Sequence, residues 1–162
     1  FINSLESNNT YGIVGYHLKD TLSEHGSVSR GVCHVEGEQL ISIQEHTKIV
    51  AKDNIIVDED SGNVLDPDTI VSMNFWICNP SIFNYIETYF RNFLNVPENL
   101  EKSEIYLPFV AQEMMVNGLI NINVISSKSD WFGVTYYEDK TEAVDTLKNL
   151  TEQKDYPSPL WN

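Results

Sequence analysis

The run "TIVSMNFWIC", residues 69–78, passes directly into "NPSIFNYIETYFRNFL", residues 79–94. The first is nearly continuous in apolar, β-prone residues, the pattern of a central strand covered on both faces. The second repeats Ile82, Phe83, Ile86, Tyr89, Phe90 and Phe93 at helical spacing. Between them, Asn79 is a helix-capping residue type and Pro80 suits a first helical position. A strand that feeds an amphipathic helix in one short step calls for a sheet with a helix laid against it.

The other elements follow from the same signals. Residues 1–10 read as the end of a helix, and "YGIVGYHL" (11–18) as a strand. "KDTLSEHGS" (19–27) is a polar loop turning at Gly26. Val28 to Val35 alternates as a second strand, "EGEQ" (36–39) is a tight turn, and "LISIQEH" (40–46) completes a hairpin. The acidic "DEDSGNVLDPD" (58–68) is a surface loop. A helix runs from Leu107 to Asn117, with Pro108 in its first turn and Gly118 as its stop. "LININVI" (119–125) and "WFGVTYY" (131–137) are strands. A last helix starts at Asp139 or Lys140, with Ala143, Val144, Leu147 and Leu150 as its core face. Pro157 and Pro159 keep the end irregular, and Trp161 packs back on the body. Strands and helices interleave, so the expected class is α/β: one domain over residues 1–162, a mixed β-sheet flanked by helices.

Charge narrows the partners. With 24 acidic and 10 basic residues the formal charge is −14, which argues against nucleic acid and against an anionic membrane surface. A small phosphorylated substrate needs only a few local cations and stays open. Cys33 and Cys78 lie in apolar strand-like runs and read as reduced, buried small hydrophobes. No apolar run approaches the roughly 18 residues of a membrane span, and the cytoplasm is the expected compartment. The four histidines form no metal-binding spacing. Neither a nucleophile elbow nor a Gly-rich phosphate loop is present.

Four places carry polar residues that a plain core would not want. In "GSVSRGVCHV" (26–35), Arg30 sits beside Gly31 within a strand. Arg30 is either solvent-facing or, with Gly31, marks an anion or sugar lying along the strand, since glycine inside a strand often permits close approach. "QEHTK" (44–48) is either a charged strand end or a ligand site, with Glu45 accepting from hydroxyls and His46 and Lys48 facing a phosphate. Asn74 lies inside the most hydrophobic strand, where a buried amide needs a partner. Asp130 is either a turn residue or a magnesium ligand at a strand end.

Taken in order, "GYHLKDTLSEHGSVSRGVC", "SIQEHTKI", "LDPDTIVSMNFWICNPSIF", "SDWFGVTYYEDK" and a terminal "YPSPLW" resemble the C-terminal part of bacterial sugar-phosphate nucleotidyltransferases, the group related to glucose-1-phosphate thymidylyl- and uridylyltransferases. The resemblance implies a nucleotide-diphospho-sugar transferase (Rossmann-like) fold. It also implies that this chain is the sugar-binding portion, without the N-terminal half that carries the GxGxR nucleotide loop and a magnesium aspartate. The implied reaction joins an NTP and a sugar 1-phosphate into NDP-sugar and pyrophosphate, with Mg2+ in the complete enzyme, and this fragment alone is expected to be inactive. By matching, Gly31 takes the place of the glycine facing the sugar and Glu45 that of the glutamate binding its hydroxyls. His46 falls where relatives have a lysine near the phosphate, and Ser72 and Asn74 fall in the strand lining the sugar. Two departures stand out: the usual "EEKP" is "QEHT" here, which leaves Lys48 as the side chain that could compensate, and the usual second metal aspartate is Gly133, so either Asp130 substitutes or this half offers no metal ligand. Strand 119–125, if left without its neighbours, offers an edge for a homodimer. The alternative implied by the same pieces is a stand-alone, non-catalytic interaction module.

Overall fold

A computed structural model describes residues 9–159, apart from residues 54, 100, 102, 128 and 130. Among them are seven strands, β1 (Thr10–His17), β2 (Val28–Glu36), β3 (Gln39–Lys52), β4 (Ile55–Asp58), β5 (Val64–Leu65), β6 (Ile70–Ile77) and β7 (Asn121–Ser126). Three α-helices accompany them: α1 (Ile82–Leu94), α2 (Leu107–Val116) and α3 (Asp139–Glu152).

The hairpin expected from alternation is present. β2 and β3 pair antiparallel across a turn at Gly37, whose φ of +62° is a conformation glycine adopts without penalty. The remaining pairings give an architecture that alternation did not reveal. β2 also pairs with β6, β6 with β1, β1 with β7, and β7 with the start of β3, so five strands close into a ring. Only β1 and β7 run parallel. The closing seam is short, one paired position at Gln39 and Asn123 plus a 2.6 Å hydrogen bond from the Val124 amide to the Glu38 carbonyl. β4 and β5 extend from the far end of β3 as an antiparallel wing.

This closed mixed barrel with a wing and three short helices replaces the expected open, Rossmann-like α/β sheet. The interleaving of strands and helices suggested a mixed sheet flanked by helices. In fact β2 through β5 follow one another as antiparallel neighbours, and "WFGVTYY" (131–137) forms no strand. Asp139 explains the second point. Its Oδ2 accepts the backbone N–H groups of Thr135 (2.9 Å) and Tyr136 (2.7 Å), so the segment bends into the start of α3. The Tyr136 hydroxyl also donates to the Ser27 carbonyl at 2.7 Å. These contacts override the β propensity of the side chains.

Three further expectations are corrected. β6 is covered on both faces only in its first half; Phe75 is 56% exposed. The cause is a bulge: Ile13 pairs with Trp76 and Gly15 with Ser72, two steps on β1 against four on β6. Asn74 sits inside that bulge at φ +58°. α3 buries only Ala143, while Val144 and Leu147 are exposed, because no strand 131–137 lies beneath them. β7 is no free edge, since β1 covers one side and β3 meets the other. The expectations for residues 1–8 and for Trp161 fall outside the described residues.

Two apolar clusters hold the ring. One joins Tyr11, Ile13, Cys33, Ile43 and Ile122 to Ile82 of α1 and to Val110, Ala111 and Met114 of α2. The Gln112 side-chain oxygen pins α2 to β3 by accepting the Ile43 amide at 2.9 Å. Gly118, at φ +68°, ends α2 as its position in the sequence foretold. The other cluster gathers Leu18, Val28, Ile49, Ile56 and Val71 beneath the turn that follows β1.

Candidate functional site

Arg30 is neither solvent-facing nor aimed along a strand edge. It is 6% exposed. Its Nε donates to Thr21 Oγ1 at 3.0 Å, its Nη1 to the Ser29 carbonyl at 2.7 Å, and its Nη2 to the Thr21 carbonyl. The guanidinium carbon lies 5.1 Å from the ring centroid of Trp131, a cation–π distance. Burial pulls its pKa down to about 10, opposed by the Glu45 carboxylate, so it stays charged at neutral pH. Arg30 thus joins the turn after β1 to the segment before α3.

These two segments line a cleft of about 500 Å³. Trp131 and Phe132 supply apolar surface; Lys19, Asp20, Glu24, His25, Asp139 and Glu142 supply polar groups. Four carboxylates face one lysine and one histidine, so the lining is acidic. Asp139 is the anchor. Besides its two amide partners it accepts the Ser23 hydroxyl at 3.2 Å, and His25 Nε2 lies 3.7 Å away. The Tyr136 amide is the largest cause that lowers its pKa; burial opposes it, and the Thr135 amide, the Ser23 hydroxyl and His25 add to the lowering. Ser23, His25 and Asp139 contain the residue types of a hydrolytic triad but not its geometry. Ser23 donates to the carboxylate and accepts the His25 backbone N–H at 3.1 Å, so no ring nitrogen is placed to take its proton.

The residues named from the sequence separate into groups. Register sets Gly31 opposite Glu45 on β3 and opposite Ser72 on β6, so these three lie side by side on one face. Space around Gly31 is taken by the protein itself: a Cβ there would meet Ile43 Cδ1 at 3.0 Å and Ser72 Cβ at 3.3 Å. Glu45 is half-buried, and burial raises its pKa while Arg30 and His46 lower it. Arg30 pairs across the strands with His46 on the opposite face. His46 Nδ1 contacts Asp58 Oδ2 at 3.0 Å, and Asp58 also accepts the Ser61 hydroxyl. Lys48 pairs with Asp60 at 3.2 Å on the wing. Ser72 Oγ accepts the Asn74 amide, and Asn74 Oδ1 accepts the Trp76 indole N–H at 3.3 Å. Hence Asn74 is an exposed bulge residue with a local partner, not a buried amide awaiting a ligand.

Asp130 lies outside the described residues. Gly133 packs against the Trp131 ring, where a Cβ would come within 2.5 Å of Cζ2. Among the described residues no three His, Cys, Asp or Glu side chains converge on a point where a metal could sit. The cleft residues Lys19, Ser23, His25, Trp131, Asp139 and Glu142 had no periodic signature. Their only hint was the aromatic pair Trp131-Phe132 a few residues before the acidic "YYEDK".

No family model matches the sequence, and no curated protein matches it either. The resemblance to sugar-phosphate nucleotidyltransferases therefore rests on the quoted stretches alone. No helix among the described residues is long and apolar enough to cross a membrane.

Proposed function

We propose that this protein is a non-catalytic sugar-binding module whose ligand occupies the cleft beside Trp131. The observation that carries the reading is the cleft's make-up: aromatic surface from Trp131, which Arg30 contacts at 5.1 Å, and from Phe132, among several carboxylates. Sugars present apolar C–H faces and hydroxyl donors, which suit those two kinds of surface. The acidic lining favours a neutral sugar over a phosphorylated one. A cytoplasmic location fits two free cysteines, and the net charge of −14 disfavours a nucleic-acid partner.

A second reading keeps the family resemblance: the sugar 1-phosphate portion of a nucleotidyltransferase, receiving its NTP and Mg2+ from another half. The observation favouring it is the adjacency of Gly31, Glu45 and Ser72 across three strands. Against it, His46 and Lys48, the side chains matched to the phosphate, are each engaged with an aspartate.

Calorimetric titration with neutral hexoses and hexose 1-phosphates separates the readings. Saturable binding of a neutral hexose, lost in Trp131→Ala and kept in Glu45→Ala, is the expected result. Binding only of a hexose 1-phosphate, lost in Glu45→Ala, would favour the second reading. Absence of saturable binding overturns both. Incubation with NTP and sugar 1-phosphate is expected to give no NDP-sugar.

A further inference from the structure

α1 is strongly amphipathic yet poorly covered. Its inner line, Ile82, Ile86 and Tyr89, packs on the first apolar cluster. One flank forms a shallow groove with α2 through Tyr85, Thr88 and Asn92. The other flank carries Phe83, Phe90 and Leu94, which recur at near-heptad spacing and are 70%, 44% and 42% exposed. Phe90 stacks on Phe93 at 6.3 Å, which stiffens the middle of this stripe.

We infer that this stripe is an isologous interface at which two copies of the chain pair α1 against α1 in antiparallel fashion. The charge pattern selects a second copy. α1 has only two charged residues, Glu87 and Arg91, joined at 2.7 Å and lying beside the stripe. They are equidistant along the helix from Tyr89. A two-fold axis at that level sets Glu87 of each copy across from Arg91 of the other, twice over. The same axis brings the two Phe90 rings together and aims each Phe83 toward the opposite Leu94. Two bodies of formal charge −14 repel, and α1 is the helix of zero net charge, whereas α2 carries Glu113 and α3 has four acidic against two basic residues. A like-charged partner is therefore best met along α1.

Sedimentation equilibrium across the micromolar range tests this. A reversible dimer is expected, weakened about thirtyfold or more by Phe90→Glu, since a central aromatic anchor dominates such an interface. Phe83→Glu should weaken it as well; both side chains are exposed, and far-UV circular dichroism should confirm an unchanged fold. Glu87→Arg and Arg91→Glu should each weaken the dimer, and the double reversal should restore it. A monomer at every concentration, or a dimer indifferent to both phenylalanine changes, overturns the inference. A dimer lost with the phenylalanines but not rescued by the double reversal overturns the antiparallel pairing.

Discussion

Arg30 and Trp131 stand 5.1 Å apart, guanidinium against indole, although a hundred residues of chain separate them. This contact ties β2 to a segment with no regular structure of its own, whose Trp131 lines the cleft. Arg30→Ala would leave the Thr21 carbonyl and hydroxyl without their donors in a buried setting. A loss of about 2 kcal/mol or more in urea unfolding is expected. Arg30→Lys should recover only part, because an ammonium cannot reproduce the three-way fork.

Gly31 and Gly15 report on packing. A methyl group at Gly31 meets Ile43 and Ser72 at 3.0–3.3 Å, so Gly31→Ala is expected to cost about 1 kcal/mol, and Ile43→Val in the same chain should return part of it. At Gly15 the nearest atoms, Ile70 Cγ2 and Val124 Cγ1, lie at 2.6 and 2.9 Å. Gly15→Ala should therefore be the more harmful change, by about 1–3 kcal/mol. Denaturant midpoints of the two variants give the order directly.

Acid stability should depend on Asp58. Ser61 is the largest cause of its lowered pKa, with His46 and the Asp60 amide adding to it and burial opposing. A carboxylate whose folded pKa is depressed stabilises the fold above its unfolded value of about 3.9, and that contribution is lost as pH falls toward the folded value. Ser61→Ala removes the main cause, so its folded pKa moves back up. The variant should be less stable at pH 7 and should unfold at a higher pH in an acid titration followed by circular dichroism.

The thiols offer a chemical check. Burial pushes Cys33 up to about 12 and raises Cys78 as well, so both are protonated thiols at neutral pH. Alkylation at pH 7 should be slow for both in the native protein, slowest at the buried Cys33, and fast once the chain is unfolded in urea. Rapid native labelling of Cys33 would contradict the packing of β2 against Ile43.

What could be read from the sequence was local. Gly37 between two alternating runs gave the β2–β3 hairpin; Pro108 and Gly118 bracketed α2. Closure of the ring was not legible, because the pairing of Tyr11 with Ile122 leaves no mark on either segment alone. Nor could alternation tell that Arg30 is buried, since its partners Thr21 and Trp131 come from loops. At Asn74 the polar residue flagged a real irregularity, but the reason was a bulge rather than a ligand. At residues 131–137 the composition favoured a strand, and a single carboxylate, Asp139, drew the backbone into a turn instead. The cleft was missed for the same cause: its residues meet only because these two loops do.

β1 sets the timetable of folding. It is among the first described residues, yet its two neighbours in the ring are β6 and β7, from residues 70–77 and 121–126. As the chain is made, one side of β1 stays bare until β6 (residues 70–77) follows it, and the other until β7 (residues 121–126) does. The β2–β3 hairpin can form early, but the barrel cannot close until β7 arrives. Pairings of such long reach make folding slow, and the waiting strand, rich in Ile, Val and Tyr, is a sticky intermediate that chaperones would be drawn to.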